Sequence, residues 1–247
     1  MGSAKRLAVL SGPACAGKGP LQEALKRFHP DLVANRPVLC HSRRPRYATG
    51  EIHGEHYYFL PPALIAAFQN NLNFAAAMVR SDWQAIDLLQ VEDMLSDHSI
   101  NLVFAEVFHT FGDVLRKRLS GRPIGFTSIF LLPVPVNTPP TDTINTMKEK
   151  LILRGTDKEP KLTERAESAP IEMTSAQYYT HRLLNPATED NIQEWGEFGT
   201  QGGKSGSRPI RTLNDLGPDA KWLVETAIEI LEDKVPPCPE DYPHMKR

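Results

Sequence analysis

The chain opens on an apolar run, Leu7 to Leu10, that breaks at Gly12-Pro13. A short continuous apolar run closed by turn residues predicts a buried strand feeding a glycine loop. Behind the loop the period changes. Leu21, Leu25 and Phe28 recur at helical spacing, which predicts a helix over about 17–29, stopped by Pro30. Apolar runs at 101–105 and 126–133 predict two more buried strands. Helical patterns are read at 61–70, 85–95, up to Leu119, 141–153 and 218–233. Buried strands alternating with helices predict an α/β fold with a central parallel sheet. Residues 36–62, dense in Arg, Pro, Gly and Tyr, read as irregular strands and turns. Composition shifts over 185–211, and 199–207 reads as a flexible polar stretch without a packing face.

Composition narrows the class. A 40% hydrophobic share in 247 residues is enough for a substantial core. The 28 basic and 30 acidic residues nearly cancel, which argues against a nucleic-acid or membrane surface. No run approaches the ~18 apolar residues of a membrane span, and four apolar positions after Lys5 and Arg6 are too few for a signal peptide. Cys15, Cys40 and Cys238 lack metal spacing and read as thiols of a reducing compartment, so the expected location is cytoplasmic.

The chemistry begins at the first loop. Gly12 to Lys18 spell G-x-x-x-x-G-K, between a predicted strand and a predicted helix. Backbone N–H groups of Gly12, Pro13's successors Ala14, Cys15, Ala16 and Gly17, and then Lys18 and Gly19, can cradle phosphate there. Lys18 is placed to bridge the β- and γ-phosphates of ATP. The Ser or Thr usual after the lysine is missing, because Gly19 and Pro20 follow. Lys18-Gly19 resembles the G-K-G-T loops of adenylate-kinase-like enzymes, which hold Mg²⁺ largely through water. Pro20 removes a hydroxyl and an N–H, but a proline fits the first turn of a helix.

A second constellation follows. Ser42-Arg43-Arg44-Pro45-Arg46 precedes Gly50-Glu51, Gly54, Tyr57 and Phe59. This resembles the T-R-x-P-R and G-E-x-x-G-x-x-Y-x-F segments of guanylate kinase. With the loop, it identifies a guanylate-kinase-like P-loop nucleoside monophosphate kinase, the likeness extending to about residue 180. The resemblance implies a three-layer P-loop kinase fold over 1–234. Within it would lie an acceptor-binding subdomain at about 36–95, a lid at about 141–182 and an insertion at about 185–211. An extended tail would occupy 235–247. It implies ATP and Mg²⁺ as cofactors and a small-molecule phosphate acceptor, most naturally a nucleoside monophosphate. Arg43, Arg46 and Tyr57 would hold the acceptor's phosphate, and Glu106 would lie near acceptor and metal, reaching Mg²⁺ through water. Arg154, in Arg154-Gly155-Thr156, and Arg165 would be lid arginines acting with Lys18. Asn214, in Leu213-Asn214-Asp215, resembles the asparagine near the donor adenine.

The chain also departs from that pattern. Along an ungapped continuation the guanine-reading positions fall near Leu39, Ala75 and Trp83 to Ile86, so the glutamate is replaced by Ala75. A site that must satisfy a base N–H cannot do so with alanine, which points to altered base recognition. Cys40, His41, Arg80, Asp82 and Trp83 are candidates for a different acceptor pocket, with core packing the alternative for Trp83. Two further readings stay open: a kinase of a modified nucleotide or sugar phosphate, and a catalytically inactive binding module.

Overall fold

The computed structural model describes residues 5–47 and 50–238. The first apolar run is strand β1 (Arg6–Ser11), and the periodic segment behind the loop is helix α1 (Lys18–Phe28). Strands β2 (Leu39–His41) and β3 (Tyr57–Phe59) bracket the arginine segment, followed by α2 (Pro62–Ala67). The hairpin β4 (Phe74–Val79) and β5 (Asp82–Asp87) runs into α3 (Leu88–Ser96). Next come β6 (Leu102–Glu106), α4 (Phe111–Leu119), β7 (Gly125–Leu132), α5 (Pro140–Arg154) and α6 (Lys161–Thr174). β8 (His181–Leu184), α7 (Ile192–Trp195), β9 (Thr200–Gln201), β10 (Lys204–Ser205) and α8 (Pro218–Leu231) complete the described chain.

Among the described residues the main sheet runs β6-β1-β7-β8, all parallel. Residues 7–10, 102–105 and 129–132 are uninterrupted apolar runs within it because both faces are covered. Ala8, Leu10, Phe104, Ile129 and Leu131 point toward α1 and α8, with Leu21, Leu25, Leu223 and Val224. Leu7, Val9, Val103, Phe130 and Leu132 point the other way, against Val91, Phe111 and Leu115 of α3 and α4. The expected three-layer architecture is the observed one. A second sheet, β3-β2-β5-β4, stands beside it and carries Cys40, Ala76 and Ala85 on the face that packs on Ile65 of α2. Helices α5 and α6 pack on each other through Met147, Leu151, Leu162 and Ala166.

Two expectations need correction, and one hairpin was not read from the sequence. The helix read at 85–95 starts at Leu88, because Asp87 ends β5 and caps α3: its Oδ1 accepts from Leu89 N at 2.9 Å. The hairpin before it was hidden by its run of alanines, which blurs the period-two pattern of a strand. Finally, 199–207 is not an unattached stretch. Gly202 N donates to Leu153 O at 2.8 Å and Gly203 N to Arg154 O at 2.7 Å, fastening the β9–β10 turn to the end of α5. The surrounding 185–211 region adds Trp195 and Ile210, both fully buried, to the main core. Of the expected tail, Cys238 N donates to Thr180 O at 2.8 Å, while 239–247 lie outside the described residues. No described helix is long and apolar enough to cross a membrane.

Candidate active site

The glycine loop forms where β1 ends at the carboxyl edge of the parallel sheet. Gly12 has φ +147°, and a Cβ there would lie 2.7 Å from the Leu131 carbonyl of neighbouring β7. Gly17 caps α1 at φ +91°, where a Cβ would collide with the Asn185 amide. Both positions therefore require glycine for space as well as backbone angle. Asn185 Nδ2 donates to Ala16 O at 2.8 Å and to Ala187 O at 2.9 Å, tying the loop to the end of β8. Cys15 sits at φ +64° with its sulfur 3.7 Å from Asp190 Oδ1. Burial pushes its thiol up to about 12, so it stays protonated and serves the loop's packing. Ala16 N donates to Pro13 O at 3.4 Å, and Ala14, Lys18 and Gly19 face the open cleft. Lys18 Nζ donates to the Gly12 and Pro13 carbonyls, both at 2.7 Å. Pro20 costs the helix no bond, since its first one is Leu21 N to Gly17 O at 3.1 Å.

Facing the loop is the arginine segment. Arg43 grips Glu51 through both guanidinium nitrogens at 2.6 Å, and Glu51 also accepts from Arg46 N at 2.7 Å. The Arg43 bond holds the Glu51 carboxyl down to about 2. Arg43 lies 5.3 Å from the Tyr57 ring centroid, and burial raises the Tyr57 pKa, keeping its hydroxyl a donor. This clasp presents the two arginines and the phenol on one rim of the cleft.

Arg154 and Arg165 close a third side. Arg165 bonds Asp157 at 2.7 Å, Arg154 bonds the same carboxylate, and Arg154 reaches Glu189 at 2.9 Å. Burial opposes the Arg154 charge, yet Glu189 and then Asp157 outweigh it and raise its pKa. Burial is also the main influence on Arg165 and here prevails over Asp157, so its pKa is lowered. The Nε atoms of Arg154 and Arg165 are buried without a protein partner, leaving each guanidinium a donor to spare. Glu106 closes β6 and accepts from Gln22 Nε2 of α1 at 2.6 Å, so α1 aims this carboxylate at the loop's side of the cleft. A hard oxygen donor beside a phosphate loop fits a Mg²⁺ ion carried by a nucleotide.

These groups line one cleft of about 560 Å³. Lys18, Arg43, Arg46, Arg80, Arg154 and Arg165 face four carboxylates there, Asp82, Glu106, Glu172 and Glu189. The surplus of positive charge suits a polyanion.

Two of the expected site residues do not line this cleft. Asn214 does not reach the cleft; its Oδ1 accepts from Lys221 Nζ at 2.7 Å on the exposed turn before α8. The asparagine that meets the loop is Asn185, which follows β8, a four-residue strand opening on His181 and Arg182 that does not stand out in sequence. Trp83 packs with Cys40, Ala76 and Ala85 on the outer face of the second sheet. The two-residue period of β5 sends it away from the cleft and sends Gln84 in. Cys40 faces outward for the same reason, whereas His41, Arg80 and Asp82 line the cleft. Sequence reasoning missed Gln22, Asp157, Glu172 and Glu189. Asp157 had a signal, lying eight residues before Arg165 and three after Arg154, but its contact with both depends on the turn between α5 and α6.

No protein-family model matches the chain. It is 27% identical over 195 residues to the guanylate kinase of Trichodesmium erythraeum, covering 76% of this chain and 92% of that one. To the guanylate kinase of Clostridium perfringens it is 28% identical over 189 residues, covering 76% and 79%. A crystal structure of guanylate kinase from Anaplasma phagocytophilum superposes with a TM-score of 0.50 at 17% identity, over 75% of this chain and 79% of that one. The sheet order, the glycine loop and this superposition define a P-loop α/β kinase fold. In sequence it is similar to guanylate kinases over about three quarters of its length.

Proposed function

We propose that the chain is an ATP-dependent nucleoside monophosphate kinase, transferring the γ-phosphoryl group of ATP to the phosphate of a small acceptor. The observation that carries this reading is one cleft lined by the Lys18 loop, the Arg43–Arg46–Tyr57 rim and the Arg154–Arg165 pair. The names of the relatives point the same way. The loop amides and Lys18 would hold the triphosphate, and the second rim the acceptor phosphate, through charge-assisted bonds. Arg154 and Arg165 would neutralise charge on the moving group, which stays between the two phosphates without attaching to protein. Glu106, with Gln22 behind it, would hold a water of the Mg²⁺ ion carried by the nucleotide, which would supply positive charge to the phosphates. Positioning and electrostatics suffice for this chemistry.

The kinase domain division follows from the same reading: the β2–β5 sheet with α2 as acceptor-binding subdomain, and α5–α6 as lid. ADP release with Mg-ATP and a panel of nucleoside monophosphates and sugar phosphates tests the proposal, with Lys18→Ala as control. Turnover that depends on Lys18 and on one class of monophosphate supports it. Lys18-dependent turnover confined to a sugar phosphate would replace the acceptor. Neither turnover nor ATP binding would leave a binding module.

A further inference from the structure

This inference rests on the kinase reading and concerns what its acceptor pocket recognises. β2 and β5 run antiparallel with His41 opposite Gln84, and β4 sets Ala77 on the other side of Gln84. Directly opposed residues share a face. His41 and Gln84 therefore project together, and both line the cleft beside Arg43. The same face carries Ala75, opposite Ile86 and fully buried in the core. The glutamate expected there from the family pattern is thus replaced by packing.

The hydrogen positions follow from the bonds. Arg43 N–H donates to His41 Nδ1 at 3.1 Å. A backbone N–H can only donate, so Nδ1 bears no proton and the neutral ring carries it on Nε2. Burial first, then the Arg43 charge, pulls the His41 pKa down to about 4, so the ring is neutral near pH 7. Its Nε2 lies 3.0 Å from Gln84 Nε2. Two N–H groups cannot bond each other, so the Gln84 amide is assigned the reverse way, with Oε1 toward His41 and the NH₂ turned from it.

We propose that Gln84, oriented by His41, sets acceptor specificity by presenting N–H donors to the acceptor's base. The site then selects a nucleoside monophosphate whose base offers an unprotonated ring nitrogen there, as adenine N1 and cytosine N3 do. It disfavours guanine, whose N1–H and N2–H₂ pair would meet donors rather than a carboxylate. Asp82 shares the face two residues earlier and accepts from the Ser42 hydroxyl at 3.3 Å. It is the one carboxylate on this strand's inner face from which a guanine-reading site would have to be made.

The test compares kcat and KM for AMP, CMP, UMP, GMP and IMP in the wild type, Gln84→Glu, His41→Gln and Asp82→Asn, each checked for folding by thermal melting. The expected wild-type kcat/KM is about tenfold or more higher for AMP or CMP than for GMP. Gln84→Glu should lose about tenfold on that preferred acceptor, mainly in KM, and gain on GMP. His41→Gln should flatten the base preference through KM while kcat changes less, the mark of a positioning residue. A wild type that prefers GMP and loses the preference in Asp82→Asn overturns the proposal. So does a base ranking that Gln84→Glu leaves unchanged. Failure of the kinase reading looks different: no Lys18-dependent ADP release on any monophosphate. Calorimetric binding of the same monophosphates then decides, and tightest binding of GMP overturns the inference.

Discussion

Between Gly12 and Lys18 the cleft wall is made of backbone, whereas between His41 and Gln84 it is made of side chains on two short strands. The backbone wall depends on two glycines with no room for a Cβ and on an asparagine that ties the loop to β8. The side-chain wall depends on which residues fall on the inner face of a small sheet, so one residue's change rewrites it. A loop of the first kind tolerates Gly19 and Pro20 where Thr is usual elsewhere, because its donors are amides. A wall of the second kind keeps Arg43 and Tyr57 on its rim, while Ala75 is buried in the core.

The largest effect that could break this contrast is at Lys18, the loop's one charged side chain. Lys18→Ala should lower kcat by about a thousandfold, the scale for losing a donor to transferring charge. Single-turnover kinetics with saturating acceptor measure it. A loss confined to KM would mean that the lysine only binds nucleotide. Next in size is Arg43→Ala on the opposite wall. Losing a charge-assisted bond, of about 1.5–3 kcal/mol, should raise the acceptor KM by roughly tenfold to a hundredfold and leave the ATP KM in place. A rise in the ATP KM instead would put Arg43 on the wrong side of the cleft.

The same contrast explains what the sequence disclosed. G-x-x-x-x-G-K announced the loop because backbone geometry demands those glycines at that spacing. The continuous runs at β1 and β7 announced the parallel sheet because both faces are buried. Arg43, Arg46 and Tyr57 were legible as one motif, since a single short segment carries them. The second sheet was not. Alanines at 75–77 carry little periodicity, and only the β4–β5 register shows that Gln84 faces in and Trp83 out. Asn185 was hidden by the brevity of β8, and Leu213-Asn214-Asp215 drew the assignment away by resemblance of three letters. Asp157 and Glu189 meet Arg154 only in three dimensions.

Asp157 sharpens the comparison at its third side. Its carboxylate holds Arg154 and Arg165 together, and the two arginines keep its pKa low although burial opposes them. Asp157→Asn keeps the shape and removes the charge. The expected outcome is a kcat about tenfold lower with the acceptor KM little changed, because the lid arginines lose their common anchor while the phosphate rim is untouched. Arg154 retains Glu189, which limits the loss. An acceptor KM that rises alongside would show the clasp to be part of the acceptor wall.

The smallest effect separates the walls by pH. His41 titrates near 4 when folded, below the ordinary 6.5, and Glu51 near 2, below the ordinary 4.5. Both shifts are downward, so both groups cost stability as pH falls. Between about 6.5 and 4 the unfolded chain gains a proton at His41 that the folded one refuses. Between about 4.5 and 2 the same holds for Glu51, as the Arg43 clasp is lost. Melting temperatures of wild type and His41→Gln across this range should therefore diverge only over the upper window, the wild type declining more steeply with acid. An NMR titration of the His41 ring supplies the independent reading, and a midpoint near 6.5 would sink the assignment. With it would go the fixed tautomer, because a ring that charges at neutral pH cannot keep accepting the Arg43 N–H at Nδ1.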